Sequence, residues 1–308
     1  MGAWEVVDLP EWETAIPYQI VFKEKLDGEG KIKTYWVWIV TGGHKQVEGK
    51  SYSEMFAAAA KLPLIRVVLG HAAHQDWEIN HVNIKSAYLN APLKEKVFMK
   101  PPPGVLKLNQ QNKVCPLLKG LYGLHQAGRG WYKEMSGVFI KKLVFKKSAV
   151  DHSIFYRKLG DEHTIVVVAM DNMAITLKHN EDVEKLKNEL HQHWKFSNLG
   201  ELKWYLGFHV QCDWAKWTIL INQKVYIEAM VDRFKLSLAK LVLAPMDLGA
   251  KYSKDQCPST PMQMAKMCGI PYMEGIGSIL WPVMILQPDC AFTISMLVQF
   301  MQNPAQTH

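Results

Sequence analysis

Residues 165–176 read IVVVAMDNMAIT: two short apolar runs separated by Met170 and the polar pair Asp171-Asn172. Runs of this length, rich in β-branched residues, form strands, and a polar break this short forces them into a hairpin. Asp and Asn both tolerate the positive φ of a two-residue turn, so the turn is expected at Asp171-Asn172. Such a hairpin buries its strands in a sheet and raises a carboxylate at its tip. The pair is then either turn chemistry alone or one part of a site completed from elsewhere in the chain.

The surrounding pattern is mixed. Residues 1–30 read as an edge segment, with Val6-Val7, then residues 20–22, Pro10, Pro17 and a turn at Gly28–Gly30. Residues 35–41, YWVWIVT, form a strand ended by Gly42-Gly43. Ser51 or Ser53 caps a helix through residues 56–61, and a second helix from Pro63 to about His74 carries Leu64, Val67, Val68 and Ala72 on one side. Residues 77–85, WEINHVNIK, read as a strand with Trp77, Ile79, His81 and Asn83 on one face, turning helical at 86–90. Further on come an extended piece at 97–99, an apolar segment at 115–122, a helix at about 126–143 and a strand at 153–157. Asn180 caps a helix whose stripe is Val183, Leu186, Leu190 and Trp194. A second hairpin is expected from residues 204–210 and 217–221, followed by a helix at 223–235. A proline-marked connector around Pro245, residues 257–261 and Pro271 then leads to helices at 275–286 and 288–302. Strands and helices alternate without a repeat, which predicts α+β with an antiparallel-rich sheet.

Charge is unevenly placed. The chain is formally +7, yet residues 85–147 hold 13 Lys and Arg against only Glu95 and Glu134, so the remainder is net negative. Closely set cations of this kind suit a phosphate backbone, through counterion release, or else a solvated lysine-rich face. Aromatics are interleaved with them, including Tyr88, Tyr122, Trp131 and Tyr132. The five cysteines are odd in number and lack CxxC spacing, which reads as reduced thiols in an intracellular protein. His71/His74 and His191/His193 lack partners at metal-ligand spacing and read as solvated or half-buried side chains. No apolar run reaches the ~20 residues of a membrane span, and no membrane partner is expected.

From residue 44 onward a longer likeness emerges. The stretches HKQVEGKSYSEMFAAAAKLPLIRVVL, NIKSAYLNAPLKEKVFMKPPPGV, KVCPLLKGLYGLHQAGRGWY, SAVDHSIFY, the 165–176 hairpin, LGELKWYLGFHV, INQKVYIEAMVDRF and PYMEGIGSILWPVMILQPDCAF run in collinear order. Together they resemble the reverse transcriptase region of a copia-type retrotransposon polyprotein. The resemblance implies a right-hand polymerase, with fingers and palm over residues 1–212 and a thumb and connection segment over 213–308, cut before ribonuclease H. It implies template-directed DNA synthesis with two Mg2+ ions, an RNA template, a DNA primer or duplex, and deoxynucleoside triphosphates. Three acids would hold the metals, and the matching positions are Asn83, Asp171 and Asn172. Tyr122, Gly123 and Gln126 match the block that positions nucleotide and template, with His125 where Lys is usual. Leu206-Gly207 matches a primer-grip turn, and Lys85 and Arg129 match blocks expected to face phosphates.

Two departures stand out. Only Asp171 keeps a carboxylate, so formal ligand charge falls from −3 to −1 against two ions of total charge +4. Trp36 and Trp38 occupy positions where the family carries cations toward the triphosphate, and an indole offers one N–H and no charge. They remove those phosphate contacts, whether or not they also pack beneath the fingers. The expectation is a reverse transcriptase domain impaired in Mg2+ binding, nucleotide binding and catalysis. The alternatives are an active polymerase with an atypical metal site and a non-catalytic nucleic-acid binder.

Overall fold

A computed structural model describes residues 2–26, 32–105, 112–159, 162–247 and 249–308. The expected turn at Gly28–Gly30 lies outside these, as does Lys107 of the basic segment. The chain divides into two compact units, Met1–Leu202 and Lys203–His308.

In the first unit the strands are β1 (Val7–Asp8), β2 (Ala15–Ile16), β3 (Tyr18–Leu26), β4 (Ile32–Thr41), β5 (Glu78–Ile84), β6 (Phe98–Met99), β7 (Lys113–Pro116), β8 (Lys146–Lys147), β9 (Ile154–Leu159), β10 (Glu162–Ala169), β11 (Asn172–Leu177) and β12 (Phe196–Glu201). Its helices are α1 (Leu62–Gln75), α2 (Ala127–Lys141) and α3 (Asn180–His191). Among the described residues the largest sheet is antiparallel throughout, in the order β12-β5-β11-β10-β9-β8. β11 lies inside it and is buried on both faces from Met173 to Leu177, as an uninterrupted apolar run requires. β3 and β4 form a separate two-stranded ribbon.

Helices α2 and α3 supply the covering layer. α2 buries Trp131, Met135 and Phe139, spaced at i, i+4 and i+8, and α3 buries Val183, Leu186 and Leu190. These join Val82, Val166, Met173 and Trp194 in one core. The fold is therefore mixed α+β with several antiparallel sheets.

Several local expectations change. Residues 56–61 form no helix: Phe56 is exposed, and six residues without a buried face do not nucleate one. α1 starts at Leu62 instead, with Pro63 in its first turn, where a missing N–H costs nothing. Its buried stripe is Ile65, Val68, Leu69 and Ala72, leaving Val67 63% exposed. α3 takes His179 as its N-cap, so Asn180 is the first helical residue and not the cap.

The second unit holds the sheet β13 (Trp204–Tyr205), β14 (Phe208–Asp213) and β15 (Thr218–Asn222), then α4 (Lys224–Arg233), α5 (Pro261–Met267), α6 (Tyr272–Ile285) and α7 (Ala291–Val298). α5 falls within the expected connector. It forms because Thr260 accepts from the Gln263 amide, Gln263 reaches back to Thr260 N–H, and Pro261 opens the first turn. Among the described residues no helix is long and apolar enough to cross a membrane. All five cysteines are free.

Candidate active site

The β10–β11 hairpin turns at Met170-Asp171, one residue earlier than the sequence suggests. Ala169 pairs with Asn172, which is already the first residue of β11. Met170 carries the positive φ, at 61°. Non-glycine residues resist that conformation, so long-range contacts must hold it. Trp131 Nε1 donates to the Met170 carbonyl at 2.8 Å, and Ile84 N donates to the Asp171 carbonyl at 2.7 Å. α2 and the end of β5 thus clamp the turn from two sides.

Pairing of β11 with β5 sets Asn172 directly opposite Asn83. Asn83 Nδ2 donates to Asn172 Oδ1 at 3.3 Å, and Asn172 Nδ2 donates to Asp171 Oδ1 at 2.9 Å. His81 Nε2 donates to the same Asn172 oxygen at 3.0 Å. Asn83, Asp171 and Asn172 therefore meet in one hydrogen-bonded chain. Burial pushes the His81 imidazolium pKa below its usual value, although Asn172 and Asp171 both pull the other way. A neutral imidazole with its proton on Nε2 makes this donation to Asn172.

Beside the turn lies a cleft of about 370 Å³ lined by Trp38, Val40, Ala87, Tyr88, Tyr122, Met170 and Asp171. Tyr88 and Tyr122 pack with ring centroids 4.6 Å apart. Burial, then the Asp171 charge and Tyr88, push the Tyr122 hydroxyl up to about 12. Trp38 faces this cleft, with Trp36 against it at 5.7 Å between centroids. The backbone of Tyr122 is fixed by β4: Thr41 N and Oγ1 both donate to its carbonyl, at 2.8 and 3.0 Å. Gly123 has φ of 94° and lies so close to the Thr41 carbonyl that a Cβ there would collide with backbone.

Other expected site residues lie elsewhere. Gln126 is buried, donating to the Ser51 carbonyl and accepting from Gln46 Nε2. Arg129 pairs with Glu54 and lines a second cleft of about 230 Å³, together with Gln126, Lys94, Lys133, Glu95 and Glu134. Lys85 is exposed just after β5, its N–H donating to the Lys195 carbonyl. Leu206 and Gly207, both at positive φ, form the tight turn between β13 and β14 in the second unit. His81, Tyr88, Met170 and Trp131 join the site without having been assigned to it from sequence. From sequence, Tyr88 and Trp131 stood out only as aromatics among the cations, and His81 only as sharing a strand face with Asn83.

The reverse transcriptase (RNA-dependent DNA polymerase) family profile matches residues 1–248. The chain belongs to that family. Among its relatives is the retrovirus-related Pol polyprotein from transposon TNT 1-94 of Nicotiana tabacum, 30% identical over 308 residues, all of this chain and 23% of the relative. The corresponding polyprotein from transposon RE1 of Arabidopsis thaliana is 28% identical over 309 residues, covering 99% of this chain and 20% of the relative. The putative transposon Ty5-1 protein of Saccharomyces cerevisiae is 23% identical over 227 residues, 74% of this chain and 71% of the relative. The similarity is to copia-type Pol polyproteins, and the chain spans about a fifth of the length of the two plant relatives.

Reverse transcriptases use divalent metal ions, and the donors at this turn do not fit a pair of them. Among the described residues no group of three His, Cys, Asp or Glu is placed to hold a metal. The Asn172 amide oxygen is taken by two donors, and one Asp171 oxygen is taken by Asn172. Hard cations favour several carboxylate oxygens, and only one carboxylate stands here.

Proposed function

We propose that this chain is a copia-type reverse transcriptase domain that has lost its polymerase reaction while keeping the scaffold that would hold a template and primer. In this reading residues 1–212 are fingers and palm, and residues 213–308 are thumb and connection. Asn83, Asp171 and Asn172 stand at the positions for the metal-binding acids. Tyr122, Gly123 and Gln126 stand in the block that positions nucleotide and template in the family, Leu206-Gly207 is the primer-grip turn, and Lys85 and Arg129 face phosphates.

The observation that carries the reading is the hydrogen-bonded pair Asn83–Asn172 beside the lone Asp171. Polymerisation uses Mg2+ to activate a primer hydroxyl and to neutralise the triphosphate. Removing one preorganised electrostatic group commonly costs about 10²–10³ in rate. Here two are replaced in a unit whose members act together, so the losses are not independent. The apolar lining contributed by Trp38 and Val40 also disfavours a triphosphate.

A primer-extension assay on an RNA template, with Mg2+ and separately with Mn2+, tests this. The expected result is no extension. Extension that Asp171→Ala abolishes would instead establish an active polymerase with an atypical metal site.

Retained nucleic-acid binding has its own support. Lys85, Lys94, Lys96, Lys100, Lys133, Lys141, Lys142, Lys146 and Lys147 are all exposed, in a segment nearly free of acids. Such a segment supplies phosphate contacts without needing the metal site.

A further inference from the structure

The cleft beside the β10–β11 turn has a chemistry opposite to that of a phosphate site. Trp38, Tyr88 and Tyr122 wall it, Met170 adds a polarizable thioether, and Asp171 is the single charged side chain among its described lining residues. The Tyr88 hydroxyl is turned onto the Met170 sulfur at 3.8 Å, which leaves ring surface as a large part of the wall. The Asp171 field reaches both tyrosines, helping to hold each hydroxyl in its protonated form.

Each of these features favours positive charge. Aromatic faces carry negative quadrupole potential, and they attract weakly hydrated cations most strongly where water is thinned out. A carboxylate at the end of an aromatic wall adds direct attraction. An anion would meet the same groups as repulsion, with no lysine or arginine in the described lining to offset it. A small inorganic cation would keep its hydration shell, since the walls offer few oxygen donors. The volume of about 370 Å³ lies in the range of sites for small organic molecules.

We propose that this cleft binds a small organic ammonium ion, quaternary or a protonated arylalkyl amine, with its cation against Trp38, Tyr88 and Tyr122 and beside the Asp171 carboxylate. The inference goes beyond loss of polymerase activity, and it rests on the reading that this cleft no longer receives a triphosphate.

Isothermal titration calorimetry on the full chain, in metal-free buffer, tests it with two probes of matched shape. Meta-hydroxyphenyl trimethylammonium carries the charge, and meta-tert-butylphenol is its neutral isostere. The cation should bind saturably and at least about tenfold more tightly than the isostere. Asp171→Asn should remove most of that preference, and Trp38→Leu, which keeps apolar bulk but loses the ring, should weaken the cation several-fold. Circular dichroism checks that both variants remain folded. Trp38→Arg supplies an independent arm, because a guanidinium in the lining should exclude the cation. Failure of the parent chain to bind the cation, equal binding of the two probes, or an unchanged preference in Asp171→Asn would overturn the inference. So would displacement of the cation by dATP at lower concentration than by further probe.

Discussion

Asn83 and Asn172 face each other across β5 and β11, joined by a hydrogen bond of 3.3 Å from one amide to the other. Two carboxylates at that separation would repel by about 5 kcal/mol at an effective dielectric near 20, before relaxation. Metal ions offset such repulsion in an acidic site, whereas two amides satisfy each other with nothing bound. Asn83→Asp/Asn172→Asp should therefore unfold more easily than the parent in EDTA, by about 1–3 kcal/mol after relaxation. Millimolar Mn2+ should restore stability to the variant and leave the parent unchanged. Denaturant melts with and without the ion measure this; equal stability in EDTA would contradict it.

The Met170 turn depends on Trp131. Trp131→Phe keeps an aromatic ring in the core but removes the N–H that donates to the Met170 carbonyl. Loss of one partner from a part-buried hydrogen bond should cost about 1–3 kcal/mol in urea unfolding. A cost indistinguishable from zero would mean that the clamp does not hold the turn.

Asp151 fastens the start of α1 to the loop before β9. Its carboxylate accepts from Lys61 N and from both the N–H and hydroxyl of Ser153. Burial alone would raise its pKa; the Ser153 hydroxyl, the two backbone amides and the Lys61 charge outweigh that and leave it below the ordinary carboxylate value. A depressed folded value contributes stability above the unfolded pKa, lost as pH falls through the folded one. Asp151→Ala should cost about 2–4 kcal/mol, since it orphans several donors, and acid unfolding should begin at higher pH. Melts between neutral pH and pH of about 3 read both effects.

His81 produces a second window with the same sign. Its folded pKa lies below the unfolded value because burial disfavours the imidazolium. The unfolded chain then takes up protons first, so stability declines as pH drops below about 6.5, until His81 protonates in the folded state. Asn172→Asp places a carboxylate beside His81 and should raise its titration midpoint. NMR titration of the ring protons in parent and variant checks this; an unmoved midpoint would contradict the described contact.

The exposed lysines of residues 85–147 predict a binding constant for RNA or DNA that falls steeply with salt. Neutralising Lys141, Lys142, Lys146 and Lys147 to Gln should weaken binding and flatten the salt slope, which fluorescence anisotropy over a salt series measures. Binding indifferent to salt would rule out a phosphate-tracking role.

Strands and helices with strong local patterns were legible in the sequence. The α3 stripe at Val183, Leu186 and Leu190 and the paired runs of β10 and β11 are dictated by spacing alone. The hairpin turn was misplaced by one residue because Met170 adopts positive φ, against its preference, under contacts from Trp131 and β5 that no local window contains. The helix expected at 56–61 failed for a related reason: it has no buried face to repay its ordering. At the site, Asn83 and Asn172 are 89 positions apart, so their meeting was foreseeable only through family resemblance. His81 and Tyr88 entered with the strand and turn that carry them, and no sequence motif marked their contacts with Asn172 and Met170.

What we propose the chain has lost is the set of metal donors at this turn, and not the scaffold beneath them. Electron paramagnetic resonance counts free Mn2+ directly during a titration, without requiring turnover. The parent chain should leave the added Mn2+ free, while folded Asn83→Asp/Asn172→Asp should bind it in a way that Asp171→Ala reverses. Saturable Mn2+ binding by the parent, removed by Asp171→Ala, would show that the metal site survives.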